Sequence, residues 1–379
     1  MAGRVRHPID VKSLEKYIQK HVPEIETPLD VKQFGFGQSN PTYQLTSPSG
    51  KRYVLRKKPP GKLLSKAAHK VEREHRIIAA LGGGATDVPV PRAYCLCEDP
   101  AVIGTPFYIM SFLDGRIIED PAMPDAASPA ERSALWRAAV ETLARLHRVD
   151  QQAVGLGSYG RANGFYDRQL ATWKTICSAQ ASAADADTGK PVGQLPHFDE
   201  FLSFFSDAAR QPVDRSSLIH GDYKIDNLVF HKTEPRVIGI LDWEMSTVGH
   251  PLSDLANIMN PFYTAVMPGD KKYATSDAFQ PGATPGLPDP ETIMGWYAET
   301  AGWDPRSEIN WGMAFSVFRL AAICQGIAAR VATKQASSEQ ARKHAESLGP
   351  LAEFAWQLVG KEKQNKAKST NGGKIAAKL

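Results

Sequence analysis

LIHGDYKIDNLVFHKTEPRVIGILDWEMSTVGHPLSDLAN, residues 218–257, decides how this chain reads. It sets His220, Gly221 and Asp222 side by side, Asn227 five residues after Asp222, and Asp242 directly behind a short apolar run, residues 237–241. Transfer of a phosphoryl group from a nucleotide asks for few protein parts. A carboxylate must take the proton of the attacking hydroxyl, and oxygen ligands must hold Mg²⁺ against the phosphates. Asp222 fits the first task, and Asn227 with Asp242 fits the second. Taken singly, each residue has an ordinary reading: an Asp after Gly forms turns, and an Asn steadies loops through its own side chain. The set is harder to dismiss. Two apolar runs, residues 228–230 and 237–241, flank a turn-rich stretch containing Pro235, which is the hairpin needed to bring Asn227 and Asp242 to one ion.

Outward from this stretch, residues 31–36, 42–46 and 52–56 alternate as strands, with Ser47-Pro48-Ser49-Gly50 as a hairpin turn. Residues 11–21 and 71–81 read as helices, the second stopped by Gly82-Gly83-Gly84. Residues 93–98 and 106–112 are further strand candidates, which makes a five-stranded antiparallel sheet with one helix. From Ser128 the period changes to helical: residues 130–147, with Leu135, Ala139, Leu143 and Leu146 on one face, then 198–209, 290–300, 311–333 and 338–359. Residues 178–194 and 268–290 read as loops. The expected organisation is α+β with two lobes: residues 1–113 for the sheet, 114–360 for the helical part with the catalytic loops, and 361–379 as a disordered basic tail.

The 379 residues are 42% hydrophobic and 23% charged, the balance of a globular protein. No uninterrupted run of about 18 apolar residues occurs, so no membrane span is expected. The net charge of +4 comes from the tail: residues 361–379 hold six lysines and one glutamate, which leaves the remainder at −1. That balance lacks the basic excess of a nucleic-acid binder. Cys95, Cys97, Cys177 and Cys324 have no metal-ligand spacing and read as free thiols.

Gly35, Gly37, Ser39 and Asn40 lie between the first two strands of the sheet, where glycines let a backbone approach phosphates. Arg56, on the following strand, offers a bidentate cation for phosphate, with Glu74 as its helix partner. A tight hairpin and a solvated basic run, Arg56-Lys57-Lys58, are the plainer readings of these two features.

HGDYKIDN followed by LDWEMSTVGHPLSDLA resembles the aminoglycoside phosphotransferase and choline kinase superfamily, a distant branch of the protein-kinase fold. YVLRKKPPGKLL, REHRII and GHPLSDLANI are similar to the kinase-like N-terminal half of acyl-CoA dehydrogenase family members ten and eleven, over residues 12–359. The resemblance implies a bilobal kinase-like fold, ATP and Mg²⁺ as cofactors, and a small-molecule alcohol as acceptor. It implies that Asp222 is the base, that His220 orients the loop and that Asp254 braces it. Asn227 and Asp242 hold the metal, Arg56 grips phosphate, and backbone groups from Met110 to Phe112 hold adenine. Within the subgroup the implied acceptor is a hydroxyacyl-CoA, with Lys57, Lys58, Lys62, Arg319 and Arg330 as candidate contacts for a CoA phosphate. An aminoglycoside- or choline-type kinase and a non-catalytic nucleotide-binding module are the rival readings. The closing Ala377-Lys378-Leu379 is similar to the Ser-Lys-Leu signal, so an import receptor and a peroxisomal address are expected, with the cytoplasm as the alternative.

Overall fold

The computed structural model describes residues 2–3, 5–35, 40–59, 70–269, 277–336 and 338–376. The chain divides into two compact units. The first gathers Met1–Met123, Arg137–Tyr159 and His220–Thr247, and the second gathers Pro124–Trp136, Gly160–Ile219 and Val248–Leu379.

The first unit carries an antiparallel sheet of β1 (Ala2–Gly3), β2 (Asp30–Phe34), β3 (Thr42–Thr46), β4 (Arg52–Lys57), β5 (Ala93–Cys97) and β6 (Phe107–Ser111), in the order β1-β2-β3-β4-β6-β5. It has six strands, where the sequence suggests five. β1 is two residues long, pairs with Phe34 and Gln33, and offers no alternation to read. Helix α1 (Val11–His21) begins where Asp10 accepts a hydrogen bond from the Ser13 amide, and it ends on Lys20 and His21, cations that suit a helix C-terminus. Its Leu14 and Ile18 join Tyr43, Leu45, Tyr53, Leu55, Phe107 and Ile109 in one core. The period of two in β4 therefore decides the site: Tyr53 and Leu55 enter that core, and Arg56 is turned to the other face. Helix α2 (Val71–Leu81) buries Ile77, Ile78, Leu81 and a charged residue, Glu74.

A second sheet, in the order β10-β9-β7, joins β7 (Arg116–Ile117), β9 (Leu228–Phe230) and β10 (Val237–Ile240). This is the hairpin expected from residues 228–241, with a third strand that the sequence does not show. The pairing of Arg116 with Phe230 and Ile117 with Val229 holds the catalytic hairpin beside the chain that follows β6. Gly115 is glycine because a Cβ there would lie 2.2 Å from the Phe230 carbonyl oxygen.

Helix α3 (Pro129–Arg148) buries Leu135, Ala139, Leu143 and Leu146, the expected stripe. The second unit is mainly helical: α4 (Phe165–Ala181), α5 (Phe198–Phe205), α6 (Leu252–Thr264), α7 (Pro290–Ala301), α8 (Ile309–Ala332), α9 (Glu339–Glu346) and α10 (Leu348–Ala376), with a two-stranded sheet of β8 (Ser217–Ile219) and β11 (Thr247–Gly249). α4 buries Phe165, Tyr166, Leu170 and Cys177, a narrow stripe in seventeen residues that are otherwise largely polar or small, and the sequence reading passes over it. Residues 338–359 form two helices rather than one. Pro350 lacks an amide and its ring crowds the preceding turn, so the helix breaks and restarts at Leu348. α8 is long and apolar enough to span a membrane by length and composition, yet it packs on α4, α6 and α10 and buries Trp311, Phe315 and Phe318. α10 continues to Ala376 where the sequence suggests disorder from residue 361, since Lys, Gln and Ala favour extension of a helix already anchored by Phe354, Leu358 and Val359. Ala377, Lys378 and Leu379 lie outside the described residues, as do Gly37, Ser39 and Lys62. All four cysteines are free.

Candidate active site

The catalytic loop is built on a glycine no other residue replaces. Gly221 has φ +86°, and a Cβ on it would lie 2.5 Å from the Met245 carbonyl oxygen. The loop is then fastened from both sides. His220 is buried, its Nε2 faces the Leu241 carbonyl at 2.8 Å, and its Nδ1 accepts the Asp222 amide at 3.2 Å. Both ring nitrogens of His220 are thus spent on backbone groups, one of the loop and one of the hairpin behind it. Tyr223 donates its hydroxyl to the Ala139 carbonyl of α3 at 2.7 Å.

Asn227 closes the loop. Its Nδ2 donates to the Asp222 carbonyl at 2.9 Å and to Asp222 Oδ2 at 3.2 Å, and the Asn227 carbonyl accepts the Leu241 amide at 2.8 Å. That cross-strand bond sets Asp242 one residue past the partner of Asn227. Asp242 holds φ +64°, a left-handed turn that a non-glycine residue adopts only where its surroundings enforce it. With its amide nitrogen committed to Asp222, Asn227 has Oδ1 as its remaining ligand atom. A carboxylate and an amide oxygen form the hard, incomplete donor set that Mg²⁺ accepts when phosphates complete its shell. The residues present fit the ion.

Burial pushes the Asp222 carboxyl above the ordinary carboxylate range, with Lys224 and then His220 drawing it back. Lys224 was not singled out in the sequence, although it stands two residues after the base in HGDYK. Its ammonium lies 3.8 Å from Asp222 Oδ2 and 3.1 Å from Asp226 Oδ2.

Arg56 is the hub of the unit. Nη1 lies 2.9 Å from Glu74 Oε2, Nη2 lies 2.8 Å from Asp242 Oδ1, and Glu244 Oε2 is 3.9 Å away. Glu74 is fully buried and also accepts the Tyr108 hydroxyl at 3.1 Å and Asn40 Nδ2 at 2.9 Å. Burial raises the Glu74 carboxyl to about 7, opposed first by Arg56. The expected pair is present, and the arginine reaches Asp242 as well.

Three sequence expectations change. Asn40 does not extend a phosphate loop, because its amide nitrogen serves Glu74 in the interior. Met110 stands in register between Val54 and Ala93, inside the sheet. The amides of Ser111 and Phe112 donate to the Arg92 and Arg52 carbonyls, so these two amides are not open to a base. The first backbone amide past the sheet is that of Leu113, whose side chain lies where a Cβ on Gly239 would stand, 2.0 Å from Cδ1. Lys57 turns inward to the Ile103 carbonyl at 3.3 Å, and Lys58 pairs with Glu72, so neither stands ready for a CoA phosphate. Gly35 is described, its carbonyl accepting from Arg6 at 3.3 Å. In the second unit, Asp254 is fully buried in the first turn of α6 and Arg319 donates to Ser253 Oγ at 3.4 Å.

Arg73 is a second residue the sequence did not disclose. It extends from α2 to the carbonyls of Tyr159 at 3.0 Å and Ser246 at 3.3 Å, and its guanidinium stacks 4.2 Å over the Tyr159 ring. The Tyr159 hydroxyl meets Ser246 Oγ at 2.7 Å, and Ser246 Oγ donates to the Trp243 carbonyl. The segment after Asp242 is thereby bolted to α2.

Residues 30–284 match the model of the phosphotransferase enzyme family. Acyl-CoA dehydrogenase family member 11 of Rattus norvegicus is 39% identical over 360 residues, covering 93% of this chain and 44% of its own length. The chain thus spans less than half of the curated relatives it matches. A crystal structure of a candidate aminoglycoside phosphotransferase from Ralstonia eutropha superposes with TM-score 0.80 at 38% identity, covering 93% of this chain and 99% of that one. Choline kinase from Cryptosporidium parvum shares the fold at TM-score 0.55 and 13% identity, covering 96% of this chain and 97% of that one. With that family match and Asp222, Asn227, Asp242 and the buried Arg56–Glu74 pair in one unit, the chain belongs to the phosphotransferase enzyme family.

Proposed function

We propose that this phosphotransferase moves the γ-phosphoryl group of ATP to the hydroxyl of a small molecule, with Mg²⁺ held by Asn227 and Asp242. The supporting observation is the joint placement of Asp222, Asn227 and Asp242 through two backbone-anchored contacts, Asn227 Nδ2 to Asp222 and the Leu241 amide to the Asn227 carbonyl. Asp222 accepts the proton as the alcohol oxygen bonds to phosphorus and the bond to the β–γ bridging oxygen breaks, releasing ADP. Bound Mg²⁺ supplies charge neutralisation for the phosphates. Arg56, freed from Asp242, offers Nη2 to the nucleotide while Nη1 stays on Glu74. Lys224 places a second cation beside the base.

A hydroxyacyl-CoA in fatty-acid breakdown is the acceptor we favour, on the similarity to the acyl-CoA dehydrogenase family relatives, of whose length this chain spans less than half. The test is transfer of label from γ-labelled ATP to hydroxyacyl-CoA esters, choline and kanamycin, with Mg²⁺ present and removed. Labelling of an ester alone supports the reading. Labelling of kanamycin or choline in its place assigns the chain to the cationic acceptors, and no Mg²⁺-dependent labelling of any alcohol overturns it.

A further inference from the structure

We propose that Met245 contacts the acceptor and sets its specificity, walling one flank of the catalytic carboxylate and selecting alcohols that carry a hydrocarbon segment beside the reacting hydroxyl. The inference rests on the phosphotransferase reading above and refines its substrate class.

Met245 is 60% exposed, a long apolar side chain left in solvent two residues after Glu244's neighbour Trp243, which is 1% exposed. Single exposed apolar residues are common on protein surfaces and need no explanation by themselves. This one has an address. A Cβ on Gly221 would lie 2.9 Å from Met245 Cβ and 3.0 Å from its carbonyl carbon, so Met245 is packed against the residue that precedes the base. Nor is it carried by a slack loop. The Trp243 indole donates to the Ile240 carbonyl at 2.9 Å, the Ser246 amide donates to the Trp243 carbonyl at 3.0 Å, and Arg73 holds the Ser246 carbonyl. The short helical turn Trp243–Met245 thus sends its tryptophan inward and its methionine outward, in a fixed frame.

Lys224 stands 3.8 Å from the Asp222 carboxylate and 3.1 Å from that of Asp226, so its charge is balanced there and discrimination falls to the thioether. An aminoglycoside or choline bringing its hydroxyl to Asp222 would set a polar or charged body against that thioether. An alcohol on a hydrocarbon chain meets no such penalty. Methionine suits the task because its flexible, polarisable chain adapts to acceptors of different length.

The experiment titrates short- and long-chain hydroxyacyl-CoA esters by calorimetry into the full chain with a non-hydrolysable Mg-nucleotide analogue present. Wild type, Met245→Leu and Met245→Glu are compared, with kanamycin as the cationic control. We expect affinity to rise with chain length in wild type and Met245→Leu, approaching about fourfold per methylene that reaches the wall. Met245→Glu should lose that rise by about tenfold or more for the long ester and leave nucleotide affinity unchanged. A chain-length dependence that is absent in wild type, or that survives Met245→Glu, overturns the proposal, as does kanamycin binding tighter than the esters in wild type. Because this readout is binding, it stays distinct from failure of phosphoryl transfer, which the labelling experiment reports.

Discussion

Arg56 Nη2 lies 2.8 Å from Asp242 Oδ1, so the arginine expected to grip phosphate holds the aspartate proposed for the metal. The same guanidinium reaches Glu74 at 2.9 Å. Were Asp242 to hold the ion of a Mg-nucleotide, its carboxylate would serve two cations, and the phosphates would offer Arg56 a replacement partner. Metal without nucleotide offers Arg56 no such replacement.

Asp242→Ala is accordingly expected to abolish the Mg²⁺ dependence of nucleotide binding in calorimetry. Arg56→Met should do the reverse for the bare ion: it uncovers Asp242 and raises Mn²⁺ binding without nucleotide, read by paramagnetic resonance. Unchanged Mg-ATP affinity in Asp242→Ala would remove it as a ligand.

Glu74→Ala takes the partner of a buried cation away, and losing one side of a buried pair typically costs about 3–5 kcal/mol. Glu74→Gln keeps the shape and an oxygen for Tyr108 and Arg56, so it should cost less. Urea denaturation of both variants measures the difference, and equal losses would mean that the charge on Glu74 carries nothing.

Asp222→Asn should preserve nucleotide affinity and lower turnover by about two to four orders of magnitude, the usual contribution of a general base. Burial raises the Asp222 carboxyl and Lys224 lowers it. A base works only when ionised, so turnover falls as pH drops through that raised value. Lys224→Met removes the lowering influence and should carry the acidic limb of the pH–rate profile to higher pH. A limb that stays in place argues against Asp222 as the titrating group.

Arg73 acts through others: it fixes α2 against the segment after Asp242. Arg73→Met should raise the KM for nucleotide by about tenfold, near 1.4 kcal/mol, while Arg73→Lys, which still reaches one carbonyl, recovers part of it. A loss of thermal stability with KM unchanged would reduce the contact to ordinary packing.

In the second unit, His250 is buried with Nε2 on the Val213 carbonyl at 3.0 Å and Nδ1 accepting the Leu252 amide at 3.1 Å. Burial lowers its pKa to about 4. The folded state then holds fewer protons than the unfolded one between the ordinary histidine value and about 4, so stability is present above that window and lost as pH falls through it. The loss is on the order of 3 kcal/mol. His250→Asn should flatten the fall in urea midpoint across that window, and an unchanged slope would assign the acid sensitivity to other groups.

The sequence by itself determined the elements whose patterns are local. Residues 11–21 and 71–81 are helices with the bounds read from their stripes, and HGDYKIDN with the hairpin after it disclosed that Asp222, Asn227 and Asp242 share one hairpin and the loop leading into it, because a turn, five residues and two apolar runs fix their own geometry. Only the tertiary structure decided the rest. That Arg56 leaves the core follows from strand alternation, but that it meets Asp242, 186 residues away, depends on how the catalytic hairpin returns to α2. Arg73 and Tyr159 look like ordinary surface text until 86 residues of chain are folded away between them. β7 has two residues and α4 only a narrow buried stripe, so neither carries a strong signal within the segment itself. At Asn40, Met110 and Phe112 family position says which strand a residue occupies, whereas hydrogen-bond partners, set by sheet register and burial, say which groups remain for a ligand.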